Sequence, residues 1–172
     1  TTVWKPATTS LLSNYYLMKI FHEAGMPDGV INFVPGSGAM IGKQVLQSAD
    51  LAGIHFTGSN NTFNSLWQEV ALQLPKYKSY PRLIGETGGK NFIFVHPSAS
   101  ANEVAVNAFR GAFEYQGQKC SAVSRMYVPE SLWHSVKKEL LKISADAKMG
   151  DVTDPANFVN AVIDENSFDN IM

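Results

Sequence analysis

Two side chains could form or break covalent bonds. Cys120, the only cysteine, lies in the run GQKCS, and Glu86 stands upstream of it in GETGGKN. A thiol nucleophile needs room for a carbonyl group and nearby positive charge that favours the thiolate. Gly117 offers the room and Lys119 the charge. Gly88 and Gly89, just after Glu86, open backbone conformations closed to other residues and let a flat ligand come close. A carboxylate held there and partly withdrawn from water suits general-base work. A lone cysteine is commonly just a small buried hydrophobe. The flanking glycines and the framed glutamate argue for a nucleophile and a base.

Other motifs point to an anionic, nucleotide-like ligand. FTGS, residues 56–59, ends a strand and opens a helix, where free backbone N–H groups attract anions and Gly58 lets a phosphate approach. Ser59 or the asparagine after it equally reads as an ordinary helix cap. PGSGAMIG, residues 35–42, matches a dinucleotide-binding glycine pattern only loosely. Lys5, at the carboxyl end of the first strand, lies where open α/β sheets bind ligands, and it could reach ribose hydroxyls. On its own, a lysine there also reads as a solvated surface group.

The elements that must position these residues alternate from the start. A strand through Val3 to Lys5 is closed by Pro6. Leu17, Ile20, Phe21 and Ala24 recur at helical spacing until Gly25 and Pro27. Strands are expected at residues 30–34, 51–56 and 82–85, with helices from PGSG to Leu46 and from Phe63 to Leu74. This β/α alternation favours a parallel sheet. After a boundary near residues 88–90 come a buried strand at 91–95, a helix at 102–113, a strand at 125–128 and an amphipathic helix at 131–147. The polar loop GDVTDPANF follows, and ENSFDNIM reads as the opening of another helix. The expected organisation is an α/β chain in two parts, residues 1–89 and 90–172. Because TTVW reads as a strand already under way, the chain is expected to be the central piece of a longer protein.

Composition narrows the class. The 172 residues are 45% hydrophobic and 17% charged, with a net charge of −1. Such a balance fits a globular fold and gives no basic field for nucleic acid or an anionic membrane. One cysteine precludes an internal disulfide. His22, His55, His96 and His134 are scattered without metal-ligand spacing, so no metal is expected. No apolar run reaches the roughly 18 to 20 residues of a membrane span, and a reducing compartment is the expected home.

Taken in order, WKPATT, FTGS, GETGGKN and GQKCS resemble the aldehyde dehydrogenase superfamily. The longer runs YPRLIGETGGKNFIFVHPSA and RGAFEYQGQKCSAVSRMYVPESLW resemble its Δ1-pyrroline-5-carboxylate dehydrogenase branch, which oxidises glutamate γ-semialdehyde in proline catabolism. The resemblance implies a Rossmann-like NAD-binding domain over residues 1–89, followed by the start of an α/β catalytic domain over 90–172. By position, Cys120 matches the nucleophile, which passes through a thiohemiacetal and a thioester, and Glu86 matches the base that hydrolyses the thioester. Lys5 matches the adenosine-ribose lysine. Gly58, Ser59 and Thr62 match the pyrophosphate turn, and Ser121 a position near the substrate carboxylate. The backbone N–H of Cys120 matches one oxyanion donor.

The cofactor implied is NAD. Many members carry Glu where this chain has Thr8, which leaves NADP as the alternative. The family's oxyanion asparagine, second ribose contact, substrate anchor and oligomerisation strands fall outside these residues. Since one oxyanion donor is worth on the order of 3 kcal/mol, the isolated chain is expected to be inactive and to expose apolar faces. The implied partners are a small aldehyde and further copies of the complete chain. The implied address is the mitochondrial matrix in a eukaryote or the cytoplasm in a bacterium. The alternative is a truncated, non-catalytic homologue serving as a structural subunit of a larger assembly.

Overall fold

The computed structural model describes residues 1–172. They divide into two compact units, one made of Thr1–Phe56 and Asn61–Gly85, the other of Thr57–Asn60 and Glu86–Met172. Strands and helices alternate as β1 (Thr2–Trp4), α1 (Leu11–Glu23), β2 (Ile31–Phe33), α2 (Gly38–Gln47), β3 (Gly53–Thr57), α3 (Asn60–Gln73), β4 (Arg82–Glu86), β5 (Asn91–Phe94), α4 (Ala101–Phe113), β6 (Val123–Tyr127), α5 (Glu130–Asp146) and α6 (Glu165–Ile171). The α/β class expected from the sequence is the class observed. Hydrogen bonding resolves three strand pairs, β1–β2, β3–β4 and β5–β6, rather than one continuous sheet. Each pair is joined by one helical crossover, so pairing follows neighbours in sequence. The first and third pairs are parallel, with Trp4 opposite Phe33 and Phe94 opposite Tyr127, as crossover connections require.

In the first unit, Leu46, Leu51 and Val70 form a small core, with Ile54, Leu66, Tyr77 and Leu83 packed around it. The Tyr77 hydroxyl donates to the Leu46 carbonyl at 2.8 Å. Burial first, and the Glu69 carboxylate second, hold that phenol above its ordinary pKa. Gly85 lies against α3, where an added Cβ would sit 2.3 Å from the Phe63 ring. That ring stacks on Phe56 with centroids 6.0 Å apart. Two expectations change here. Helix α1 begins at Leu11, earlier than its periodicity suggested, and of its apolar residues only Met18 is buried. Leu17 and Ile20, two of the residues that recur at helical spacing, are 39% and 57% exposed, while Phe21 is half-buried and tilts against Trp4 at 6.4 Å.

The second unit packs α4 against α5, with Ala105 and Val136 both 0% exposed at its centre. An added Cβ on Gly111 would lie 2.8 Å from Val123, so the missing side chain brings α4 down onto β6. Strand β5 was expected to be buried, but Phe92 and Phe94 are 63% and 78% exposed. Alternation explains this: Ile93 and Val95 turn inward, and the rings share the opposite face. Phe92 and Tyr127 meet edge-on there at 6.0 Å. The exposed apolar faces anticipated from the sequence are present.

Candidate functional site

Glu86 is the last residue of β4 and is exposed. Its backbone carbonyl accepts from the Gly58 N–H at 3.1 Å. That bond ties the end of β4 to the turn between β3 and α3, and it uses an amide that the sequence left free for a phosphate. Ser59 sits between Gly58 and the start of α3 at Asn60, and both Ser59 and Thr62 are engaged in interactions. Gly58 and Ser59 belong to the second unit together with Glu86, Cys120 and Ser121, whereas Lys5 and Thr62 belong to the first.

The glycines after Glu86 act through space rather than through φ. Neither Gly88 nor Gly89 has a positive φ, so the unusual backbone expected there is not what they provide. An added Cβ on Gly89 would instead lie 2.7 Å from the carbonyl oxygen of Cys120 and 2.7 Å from the Asn91 amide oxygen. The loop after the glutamate is therefore pressed against the backbone of the cysteine loop.

Cys120 is reached through an irregular backbone. After α4, Tyr115 (φ 55°), Gln116 (φ 57°) and Gly117 (φ 70°) are left-handed in succession. For the two non-glycine residues this costs on the order of 1–3 kcal/mol each. Gly117 was expected to make room for substrate. Its positive φ and an added Cβ 2.8 Å from the Ala112 carbonyl show that its own chain requires the glycine. A turn follows, closed by the Ala122 N–H donating to the Lys119 carbonyl at 3.1 Å. Cys120 and Ser121 form its corner, and both side chains are exposed. The turn's bond leaves the N–H groups of these two residues outside it. Lys119 shares its charge with Glu114, at 3.5 Å, which also pairs with Arg110 at 3.4 Å. These partly exposed contacts are solvent-screened, and they divide the positive charge expected beside the thiol.

Lys5 directly follows β1 and is half-buried. Nearby in the first unit is an open cleft of about 500 Å³ lined by Thr8, Thr9, Leu11, Tyr15, Phe33 and Pro35. Sequence reasoning missed it. The signal was available in the apolar residues and threonines just past the carboxyl ends of β1 and β2, where such sheets accept ligands. The structure contains no group of three or more His, Cys, Asp or Glu able to hold a metal ion. No helix is long and apolar enough to cross a membrane.

Comparison with known proteins gives this geometry a context. The aldehyde dehydrogenase family pattern matches residues 1–172. The chain is 50% identical over 171 residues to the mitochondrial delta-1-pyrroline-5-carboxylate dehydrogenase of Dictyostelium discoideum, covering 98% of this chain and 31% of that protein. It is 49% identical over 167 residues to the Homo sapiens protein of the same description, covering 96% and 30%. Among solved structures, the Mycobacterium tuberculosis delta-pyrroline-5-carboxylate dehydrogenase bound with NAD superposes with a TM-score of 0.95 at 47% identity, covering 99% of this chain and 32% of that one. The NAD-bound Thermus 1-pyrroline-5-carboxylate dehydrogenase gives 0.92 at 29% identity, covering 99% and 33%. The chain thus spans about 31% of the length of the curated relatives it matches. Matched from first residue to last, it belongs to the aldehyde dehydrogenase family, and its α/β units are part of that family's fold.

Proposed function

We propose that these residues carry the nucleophile and the base of an NAD-dependent dehydrogenase that oxidises L-glutamate γ-semialdehyde to glutamate, the reaction of Δ1-pyrroline-5-carboxylate dehydrogenase. The observation that carries the reading is the close approach of the Glu86 loop to the Cys120 loop at Gly89. It is supported by relatives and structural neighbours bearing that description. Residues 1–89 are read as part of the NAD-binding domain and residues 90–172 as the start of the thiol domain.

The Cys120 thiolate attacks the aldehyde carbon, and a C–S bond forms as the carbonyl π pair moves to oxygen. The backbone N–H of Cys120, outside the turn's hydrogen bond, is one donor to that oxyanion. The thiohemiacetal collapses to a thioester by losing hydride, and NAD when bound supplies the acceptor. Glu86 then takes a proton from water as its oxygen attacks the thioester carbon, and Cys120 leaves as thiolate. Aldehyde, NAD and water become carboxylate and NADH with release of protons.

The residues present suit the cofactor. The cleft beside Lys5 offers flat apolar walls and threonine hydroxyls, chemistry that fits an adenosine. Lys5 would donate to its ribose, and Ser59 and Thr62 would hold the pyrophosphate, with Gly58, whose amide is bonded to Glu86, giving it close approach through the missing side chain. Ser121, on the Cys120 turn, would meet the substrate carboxylate. The complete protein is read as a homo-oligomer, placed in the mitochondrial matrix in a eukaryote and in the cytoplasm in a bacterium. In the complete protein, Cys120→Ala is expected to abolish aldehyde-dependent NADH formation while NAD still binds by calorimetry. Retained turnover would refute the assigned nucleophile.

A further inference from the structure

The left-handed run before Cys120 is held by side-chain amides that the chemistry above does not use. Backbone of this kind persists only where its surroundings over-determine it. The Gln118 Oε1 atom accepts from the Ile163 N–H at 2.8 Å, across 45 residues of sequence. At its other end, Gln118 Nε2 donates to the Tyr115 carbonyl at 3.3 Å, and the Gln118 backbone N–H donates to the same oxygen at 3.1 Å. Gln116 makes a parallel bridge when its amide is oriented by its neighbours: it accepts from the Asn160 N–H at 2.5 Å and donates to the Tyr115 carbonyl at 3.0 Å.

The segment they grip is itself anchored. Asn160 Nδ2 donates to the Gly150 carbonyl at 2.9 Å, the Gly150 N–H donates to the Val159 carbonyl at 3.1 Å, and the Phe158 ring packs on Phe109 of α4 at 5.4 Å. Both Tyr115 and Ile163 are thereby referred to α4, one through the chain and the other through Phe158.

We propose that Gln118 is a positioning residue, whose side chain, bridging the Ile163 N–H and the Tyr115 carbonyl, fixes the left-handed run and through it the turn that presents Cys120. It acts on the nucleophile's backbone and not on substrate. The inference rests on the reading of Cys120 as nucleophile, so its test includes that variant. In the complete protein, Gln118→Leu removes both bonds at similar volume, while Gln118→Glu keeps an acceptor for Ile163.

For Gln118→Leu, kcat is expected to fall roughly 10- to 100-fold, the scale of a misplaced reacting group, with the KM for NAD unchanged and slower alkylation of Cys120 by iodoacetamide. Gln118→Glu, which keeps the acceptor for Ile163 but sets a carboxylate oxygen against the Tyr115 carbonyl, is expected to lose less rate than Gln118→Leu. Wild-type kcat in Gln118→Leu, or equal loss in the Leu and Glu variants, overturns the proposal. Should Gln118→Leu prove insoluble, Gln118→Asn, one methylene too short to bridge, is held to the same expected loss and the same overturning result. Turnover surviving in Cys120→Ala removes the nucleophile reading and this inference together. An inactive Cys120→Ala beside a fully active Gln118→Leu removes this inference alone.

Discussion

Gly89 lies against the carbonyl oxygen of Cys120 so closely that a Cβ would stand 2.7 Å away. The obstacle is backbone, with no flexible side chain to swing aside, so Gly89→Ala must displace one loop or the other. Overpacking of this kind costs about 1–3 kcal/mol. Gly88 is the control, since a Cβ there would meet only the Asn60 amide oxygen, at 4.0 Å. Gly89→Ala is expected to lower both the urea midpoint and kcat of the complete protein, while Gly88→Ala leaves the midpoint within about 0.5 kcal/mol of wild type. Equal behaviour of the two variants would contradict the contact.

Tyr77 gives a stability prediction whose size depends on pH. Its hydroxyl bond to the Leu46 carbonyl makes Tyr77→Phe destabilising by about 1 kcal/mol near neutrality. The phenol is held above its ordinary value, chiefly by burial, so the neutral form is the one the fold favours. The stabilising contribution is complete below the unfolded tyrosine value near 10 and fades as pH rises through the higher folded value. The gap between wild type and Tyr77→Phe, measured by urea melts, is expected to be constant from about pH 6 to 9 and to narrow above pH 10. A gap that widens there would mean the hydroxyl is not protected by the fold.

How far such relationships could be read from sequence depends on their range. The periods of residues 102–113 and 131–147 located α4 and α5 within a residue, because each buries one stripe, Ala105 in one and Val136 in the other. The end of helix α1 was legible, but its start was not, because its first residues, Leu11 and Leu12, are exposed and no side-chain cap bond marks it. In the candidate site, Cys120 and Glu86 stand out by residue type and glycine framing. The left-handed Tyr115 and Gln116 do not, since neither residue type announces a positive φ. The Gln118 to Ile163 bond joins positions that no local pattern relates. Gly89 was legible as a glycine of consequence, but its reason, the approach of Cys120, exists only once the two loops are folded together.

Glu86 provides the sharpest separation of steps. If its carboxylate takes the proton from hydrolytic water, Glu86→Gln leaves attack by Cys120 and hydride loss intact and slows only release of the acyl group. General-base removal costs roughly 10²- to 10⁴-fold. Rapid mixing of the complete variant with NAD and aldehyde is then expected to give a burst of NADH close to one per active site, followed by a slow steady rate. Hydroxylamine, a nucleophile that needs no such base, should restore turnover by cleaving the thioester. Glu86 is exposed at the end of β4, so the isosteric amide leaves the packing of the fold untouched, and the burst amplitude itself counts the folded sites. A steady rate equal to wild type with no burst would remove Glu86 from the mechanism, and loss of the burst as well as the steady rate would move its role to the step at Cys120.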